Sequence, residues 1–327
     1  PTLGPIHHNL GTALWFQSRH REALGSLELA LDLNPDQEFL EGQLLHARRM
    51  CHEWSNEAVR LDTLVQHITE GRLASRPFEL LSLVDNPALQ RKIAEMYADA
   101  HHPERRPPFR RRSPDTGGRI RIGYFSADFR EHPVAALIAG CIENHDRSLF
   151  EVIGFSYGPT TADPLRKRLE QAFDHFIDVE SLSDVEIADR ARQEGIDIAI
   201  DLGGYTNGAR PSIFAYRAAP LQASYLGYLG TSGASYMDYI IADAVTIPGD
   251  ARQHFTEKVI QLPWYQANDR KRPESPQPLS RADLGLPEKG VVFGSFNNTY
   301  KTSPAIFESW MRILGAVHDS VLYLLAG

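Results

Sequence analysis

A histidine lies at the point where a predicted strand gives way to a predicted helix. Residues 119–125 alternate as a strand does, and residues 134–138 form an apolar helical run. Between them, Pro133 suits the first helical position and pushes His132 into an extended conformation. His132 is therefore predicted at the positive end of a helix dipole, which disfavours the imidazolium. A neutral imidazole in that place could act as a base or as a hydrogen-bonding group; a purely structural junction is the alternative.

Two glycine-rich segments follow later predicted strands. Residues 201–210 read Asp-Leu-Gly-Gly-Tyr-Thr-Asn-Gly-Ala-Arg, and residues 226–233 read Leu-Gly-Tyr-Leu-Gly-Thr-Ser-Gly. Glycine permits tight turns and a close approach of the backbone to a ligand, although a structural turn into a helix at residues 211–217 explains the first segment better when that segment is taken alone. The second segment is not a dinucleotide fingerprint, because its glycines have the wrong spacing and no strand-to-helix turn follows.

A lysine precedes another predicted helix near the end of the chain. Residues 296–304 read Phe-Asn-Asn-Thr-Tyr-Lys-Thr-Ser-Pro, with Ser303 the expected N-cap and Pro304 the first helical residue. Lys301 and the unpaired N–H groups of that helix could together bind an anion. The segment lacks the glycines of a P-loop, and a solvated surface lysine is the alternative.

Metal-binding patterns are missing from the sequence. It contains no Asp-x-Asp pair, and no His/Glu set has zinc-helix spacing. His101 and His102 fall in a predicted linker, where solvation explains them better than metal binding. We therefore expect no metal cofactor, and we expect lysine and helix dipoles to neutralise any diphosphate leaving group.

Length and composition narrow the function classes. The 327 residues suffice for two or three domains, and 42% hydrophobic with 23% charged residues is ordinary for a globular protein. A net charge of -8 argues against nucleic acid as a partner. The two cysteines, Cys51 and Cys141, rule out a disulfide framework and fit a cytoplasmic protein. No apolar run has the length of a membrane span, so no membrane partner is expected.

The chain divides into four predicted regions. Residues 1–71 have the small and large residues of tetratricopeptide repeats, residues 72–118 form a helical linker, residues 119–286 form a Rossmann-like lobe, and residues 287–327 begin a second such lobe. The repeat pattern is carried by Leu10, Gly11, Leu14, Ala23, Leu27, Ala30 and Pro35. A second, degenerate helix pair is predicted over residues 38–71.

Alternating strands and helices predict a mainly parallel, doubly wound sheet. Its strands are predicted at residues 120–126, 150–155, 196–202, 223–226, 239–242 and 259–262. A Pro-rich connection over residues 272–286 leads to a strand at 291–296, a helix at 304–317 and a strand at 320–326. One strand-helix-strand unit is too little for a stable domain, so we expect the rest of this lobe to lie beyond Gly327.

Several short strings, in this order, make the chain resemble the protein O-linked N-acetylglucosamine transferases of glycosyltransferase family 41. The likeness runs from Leu10 onward, and its most specific parts are Asp128-Phe129 with His132-Pro133, Gly204-Tyr205-Thr206 with Gly208-Ala209-Arg210, Pro220 with Gln222-Ala223, Leu226-Gly227-Tyr228 with Gly230-Thr231-Ser232-Gly233-Ala234, residues 237–241, and Phe296-Asn297 with Tyr300-Lys301.

The resemblance implies an α/β GT-B glycosyltransferase fold with two Rossmann-like lobes, preceded by all-α tetratricopeptide repeats that guide an acceptor protein. It implies an inverting, metal-independent transfer of GlcNAc from UDP-GlcNAc to Ser/Thr hydroxyls. The catalytic residues it implies are His132, Lys301, Tyr205 and Asp128. The UDP-sugar site it implies consists of Asn298, Lys301, Leu226, Gly227, Thr231 and Tyr205.

Departures from the family leave alternatives open. Glu131 and Val134 stand where animal members have asparagine and threonine, and Asn298 stands in place of a glutamine. Residues 272–286 join the lobes directly, without the animal intervening domain, which makes the chain look like a compact bacterial member. A UDP-glucose-dependent N-glucosyltransferase of the same family is one alternative. A non-catalytic repeat scaffold with a transferase remnant is the other.

Overall fold

A computed structural model describes residues 3–105, 118–266, 269–272 and 277–325. The chain forms two compact units, the first made of residues 1–85 and 273–327, the second of residues 86–272. The segment 72–118, predicted as one linker, is shared between the units, because the boundary falls after Asp85. The predicted connection that starts at Arg272 coincides with the other boundary.

The first unit begins with five helices, two of which pack along each other. They are α1 (Leu3–Phe16), α2 (His20–Leu33), α3 (Leu40–Met50), α4 (Glu57–Thr69) and α5 (Pro77–Leu83). A methyl group placed on Gly11 of α1 would lie 2.8 Å from Leu27 Cγ of α2, so a small residue is needed where these helices meet. The predicted repeat residues Leu14, Ala23 and Ala30 are buried, whereas Leu10 is 47% exposed. The helix pairs are present as expected, and their tetratricopeptide nature stays a prediction.

The second unit contains a seven-stranded sheet in which all paired strands run parallel. The strands are β1 (Ile120–Ser126), β2 (Phe150–Ser156), β3 (His175–Asp178), β4 (Ile198–Asp201), β5 (Leu221–Tyr225), β6 (Tyr239–Asp243) and β7 (Lys258–Leu262). Their spatial order is β3-β2-β1-β4-β5-β6-β7, so the direction of winding reverses between β1 and β4. This is the doubly wound arrangement that the alternating pattern predicted.

Helices cover both faces of this sheet because successive strand residues point to opposite sides. The helices of the unit are α6 (Pro87–His101), α7 (Pro133–Glu143), α8 (Pro164–Ala172), α9 (Asp184–Gln193) and α10 (Ser212–Ala215). Ile122 and Tyr124 of β1 pack with α7 in one buried cluster, and Phe125 packs with α9 in the other. Phe125 and Phe155, which are paired in the sheet, stack with ring centroids 4.5 Å apart.

The strands and the α-helix that follow β7 in the chain belong to the first unit. There, β8 (Val292–Ser295) and β9 (Val321–Leu324) form a two-stranded parallel sheet joined by α11 (Pro304–Ala316). These elements agree with the predicted strand, helix and strand. Two short elements, α5 and β3, were not predicted from the sequence, because both are too short to show a periodicity. Among the described residues, no helix combines the length and the apolar character that crossing a membrane requires.

Candidate active site

Three neighbouring strands end at the edge of the sheet where ligands of doubly wound folds bind. The reversal of strand order between β1 and β4 creates a crevice at their carboxyl ends. His132 follows β1, the glycine-rich segment 201–210 follows β4, and Leu226 with Gly227 follows the adjacent β5. A methyl group on Gly227 would lie 3.6 Å from Val134 Cγ2, so the start of α7 adjoins the β5 loop.

His132 caps helix α7 with its own ring. Its backbone is extended (φ -155°, ψ 148°), and its Nδ1 accepts a hydrogen bond from the Val134 N–H at 3.3 Å. Pro133 occupies the first helical position, as the sequence predicted. Burial lowers the pKa of the imidazole below 6.5, and the nearby Arg130 acts in the same direction. The ring is therefore neutral at neutral pH, and with Nδ1 engaged as an acceptor its proton lies on Nε2.

Asp128 stands beside His132 in the loop between β1 and α7. One carboxylate oxygen lies 3.5 Å from His132 Nδ1, and the other accepts from Arg130 Nη2 at 3.3 Å. The attraction of this carboxylate favours the imidazolium and partly offsets the effect of burial on the His132 pKa. Because the contact with His132 is longer than the bond from Val134, Asp128 acts on the ring mainly through charge.

Asp201, the last residue of β4, shapes the first glycine-rich segment. Its two carboxylate oxygens accept from the N–H groups of Gly203 at 2.8 Å and Gly204 at 3.1 Å. Burial raises the pKa of this carboxyl to about 6, although both backbone hydrogen bonds oppose the shift. Asp201 was not among the predicted site residues. An aspartate at the end of a predicted strand, two residues before paired glycines, was the available signal.

The β5 loop approaches the β4 loop too closely for ordinary side chains. A Cβ on Gly227 would lie 2.0 Å from the Leu202 carbonyl oxygen, and one on Gly204 would lie 2.4 Å from Tyr228 Cβ. Leu226 is buried with a φ of 72°, a left-handed conformation that costs a branched residue free energy. The glycines are thus required for packing between loops, and the strain at Leu226 falls at the candidate site.

Tyr205 joins the two glycine-rich segments. Its hydroxyl donates to the Ser232 carbonyl at 2.5 Å, and its ring packs edge-on against Tyr97 and Tyr228. Burial raises the pKa of this phenol well above 10, so it remains a donor. The sequence predicted Tyr205 as a residue in contact with the sugar; the contacts in the structure fix loop geometry, with the hydroxyl engaged by the protein.

Thr231 is held inside the β5 loop by a buried glutamate. Its hydroxyl donates to Glu257 Oε2 at 2.6 Å, and the Ser232 N–H donates to Oε1 at 2.6 Å. Thr231 is only 4% exposed, and Glu257 only 5%. Glu257 was missed from the sequence because it precedes β7, far along the chain from the loop that it anchors.

Lys301 and Asn298 lie together in the first unit, ahead of α11. Thr299–Lys301 forms a single 3₁₀ turn, and both Asn298 and Lys301 are exposed. Ser303 caps α11 by accepting from the Ile306 N–H at 3.4 Å, which confirms the predicted cap. The predicted site residues therefore form two groups, one at the carboxyl ends of β1, β4 and β5, the other at this turn.

One sequence expectation about histidines was wrong. His102 is not a solvated linker residue, since its Nδ1 pairs with Ser212 Oγ at 2.7 Å and its ring stacks on Tyr205. Helix α6, which packs on the β5 loop, carries it there. Within the described ranges, no group of three His, Cys, Asp or Glu side chains is placed to hold a metal ion.

Comparison with known protein families identifies the family of this chain. The family model described as glycosyl transferase family 41 matches residues 92–266 and 259–326. The chain belongs to this family. The matched segments include His132, both glycine-rich loops and the Lys301 turn.

The names of two similar proteins agree with this family assignment. The chain is 36% identical over 272 residues to a probable UDP-N-acetylglucosamine–peptide N-acetylglucosaminyltransferase, SEC, of Arabidopsis thaliana, covering 76% of this chain and 27% of that protein. It is 43% identical over 152 residues to the UDP-N-acetylglucosamine–peptide N-acetylglucosaminyltransferase of Caenorhabditis elegans, covering 46% of this chain and 13% of that protein.

A solved structure extends the likeness to the fold. A mutant O-GlcNAc transferase of Thermobaculum terrenum superposes with a TM-score of 0.77 at 27% identity, covering 98% of this chain and 61% of that one. The chain thus has the GT-B type fold of a bacterial O-GlcNAc transferase over the part they share. It spans about a quarter of the length of the Arabidopsis relative and about three fifths of the Thermobaculum chain.

Proposed function

We propose that this family 41 chain takes part in transferring N-acetylglucosamine from UDP-GlcNAc to serine and threonine hydroxyls of proteins. The transfer is inverting and metal-independent, and the helical segment of residues 3–83 acts as a tetratricopeptide arm that guides the acceptor. The observation that carries the proposal is the neutral, helix-capping His132 beside Asp128 and the strained Leu226–Gly227 loop, at the switch point of a family 41 lobe.

His132 has the role of orienting the reacting groups. Because Nδ1 accepts from the Val134 N–H, the neutral ring presents Nε2–H as a donor to a hydroxyl or sugar oxygen. Transfer forms the bond from the anomeric carbon to the acceptor oxygen and breaks the bond from that carbon to UDP. The hydroxyl proton passes to the departing diphosphate, since taking it up at Nε2 would need the His132 proton moved to Nδ1, which would break the helix cap. The lowered pKa keeps the ring uncharged, so it binds a neutral sugar or hydroxyl without a net charge.

Lys301 supplies the positive charge for the departing diphosphate. Its ammonium is exposed directly before the N-terminus of α11, where unpaired N–H groups add a second favourable field for anions. A charge placed in advance where negative charge develops contributes about 2.7–4 kcal/mol to transition-state stabilisation in comparable sites. This contribution takes the place of the divalent cation that other diphosphate-releasing enzymes use.

The loops after β4 and β5 form a rigid wall for the sugar. Asp201 fixes the first loop, Glu257 fixes the second, and Tyr205 ties one to the other. Such a wall holds the reacting carbon near the acceptor oxygen, which lowers the entropic part of the barrier. In this proposal Leu226 and Gly227 line the sugar pocket with backbone, while Thr231 and Tyr205 act through the shape of the loops.

Donor competition tests the proposal. The full-length protein is incubated with acceptor peptides and equal amounts of UDP-GlcNAc and UDP-glucose, with and without EDTA. Mass spectrometry then identifies the sugar and the modified residue, and NMR of the product gives the anomeric configuration. We expect β-linked GlcNAc on serine or threonine and no effect of EDTA.

The other outcomes are equally definite. Glucose on asparagine would identify an N-glucosyltransferase and refute the proposed donor and acceptor. Loss of transfer in EDTA, restored by a divalent cation, would refute metal independence. If the full-length protein neither transfers sugar nor binds UDP in a calorimeter, the chain belongs to a scaffold and the proposal is wrong.

A further inference from the structure

The turn that carries Lys301 packs on helix α3 of the same unit. Thr299 Oγ1 donates to the Met50 carbonyl at 3.3 Å. The next residue, Tyr300, lays its ring on the ring of His46, with centroids 4.4 Å apart at 40°. Phe78 of α5 completes the cluster, its ring centroid 6.3 Å from each of the other two.

His46 is an unusual residue for such a position. It is 7% exposed, and its Nδ1 has no hydrogen-bond partner within the described part of the chain. Burial lowers its pKa to about 4, and the positive charges of Arg49 and His20 act in the same direction. The His46 ring is therefore an uncharged aromatic ring at neutral pH. An unpaired buried nitrogen costs free energy, so the contribution of His46 to this cluster lies in the flat ring.

Contacts with α3 and α5 fix the turn within the first unit. Thr299 bonds to the end of α3, and the Tyr300 ring packs on His46 and Phe78. Since stiffness follows from packing, these contacts contribute to the position of the turn.

Lys301 is coupled to this cluster through Tyr300. Its ammonium lies 5.9 Å from the centroid of the Tyr300 ring, within the range of a cation–π contact. A shift of the Tyr300 ring therefore moves both the backbone and the charged end of Lys301.

We infer that His46 is a positioning residue for donor binding: the His46–Tyr300 stack lets the helical segment set the place of the Lys301 ammonium. The donor part of this inference rests on the proposed function. The helical segment then has a second role besides acceptor guidance, because the His46 ring on α3 positions the donor lysine.

Ring-keeping and ring-removing variants test the inference in the full-length protein. His46→Ala removes the aromatic ring, while His46→Phe keeps an aromatic ring and removes the unpaired nitrogen. Leu44→Ala, in the buried cluster that α3 shares with α2, controls for a general loss of helix stability. Tyr300→Leu and Tyr300→Phe repeat the comparison from the other ring, in case His46→Ala fails to fold.

The readouts are the Kd for UDP by calorimetry, the KM for UDP-GlcNAc against kcat, and amide hydrogen exchange of residues 298–302. We expect His46→Ala and Tyr300→Leu to weaken UDP binding about tenfold, since small displacements of a positioned group are costly. They should also speed exchange at 298–302. His46→Phe and Tyr300→Phe should stay close to the wild type, and Leu44→Ala should leave UDP binding and this exchange unchanged.

Two failures can be told apart. If the wild type binds UDP but the ring-removing variants bind it as Leu44→Ala does, the inference is wrong and the proposed function stands. If the wild type binds no UDP, the proposed function and the donor role of His46 fall together. Unchanged exchange at 298–302 in the ring-removing variants refutes the structural step in either case.

Discussion

Two strand-to-helix turns of this chain are alike in sequence and differ in what holds them in place. After β1 and after β8, a polar loop leads to a capping side chain, His132 or Ser303, and then to a proline at the first helical position. The β1 turn emerges from a seven-stranded sheet, between the fully buried Phe125 and Phe129. The β8 turn emerges from a two-stranded sheet and packs against α3 and α5.

The difference shows that a local sequence motif specifies the shape of a turn and not its rigidity. Proline and a capping side chain position a helix N-terminus in both places. Rigidity, which catalysis requires of a preorganised group, comes from the surrounding packing. The β1 turn lies among neighbouring strands, and the β8 turn contacts helices more than two hundred residues earlier in the chain.

The largest expected effect concerns the β8 turn. Lys301→Ala should lower kcat by about 100- to 1000-fold in the full-length protein, because a positioned charge on the leaving group contributes mainly in the transition state. Lys301→Arg should recover part of the loss. The exposed Lys289→Ala is the matched control for loss of one positive charge. Near-normal turnover of Lys301→Ala would exclude Lys301 from the reaction.

The next effect tests the burial of the β4 loop beside the β1 turn. The folded-state pKa of Asp201 is about 6 against an ordinary 3.8, so between these values the folded protein binds more protons than the unfolded chain. The wild type therefore loses stability as pH rises through this window, by up to roughly 3 kcal/mol. Asp201→Asn removes that loss. It keeps one acceptor oxygen for one of the two glycine N–H groups, and the other N–H loses its partner, which lowers stability by a pH-independent amount.

Denaturant unfolding at several pH values measures this prediction. The stability of Asp201→Asn relative to the wild type should rise between pH 4 and pH 7. The exposed Asp36→Asn serves as control and should show no such trend. A constant difference across that range would mean that Asp201 is less buried than its contacts indicate.

The smallest expected effect separates the two roles of His132. Asparagine caps helices as well as any residue, so His132→Asn should unfold at nearly the wild-type denaturant concentration. It lacks the imidazole, and its kcat should fall at least about tenfold. An unchanged kcat would reduce His132 to a helix cap, equivalent to Ser303 in the β8 turn.

The pH profile of the wild type sharpens this result. The His132 pKa lies below 6.5, so activity that needs the neutral ring should persist as pH falls through 6.5. It should be lost only as pH passes the lowered pKa. A decline centred at or above 6.5 would show that the ring is not held in the buried setting described here.

Much of the fold could be predicted from hydrophobic periodicity and from the prolines and capping residues that mark helix starts. Strand β1 was predicted with its observed bounds, and α7 and α11 were predicted with their observed first residues, because each begins at a proline. Strand β3 and helix α5 were missed, since four and seven residues carry too little pattern. The order of the strands is a non-local property that no local pattern contains.

The candidate site was predicted unevenly for the same reason. His132, Asp128 and the glycine loops are marked by local strings that determine turns. Glu257 acts as an anchor only because the fold brings the start of β7 beside the β5 loop. Asp201 bonds to glycines two and three residues further along the chain, so only its burial depends on the fold. The engaged state of Tyr205 and Thr231 depends equally on partners distant in sequence.

The sequence by itself determined that His132 lies between a strand and a helix N-terminus, that Ser303 caps α11, and that the chain resembles family 41. These conclusions rest on backbone preferences of single residues and on short strings. Only the tertiary structure decided that burial keeps His132 neutral, that the Tyr205 hydroxyl joins two loops, and that the Lys301 turn lies against His46. The reason is physical: dielectric environment, hydrogen-bond partners and stiffness are set by packing between segments far apart in the chain.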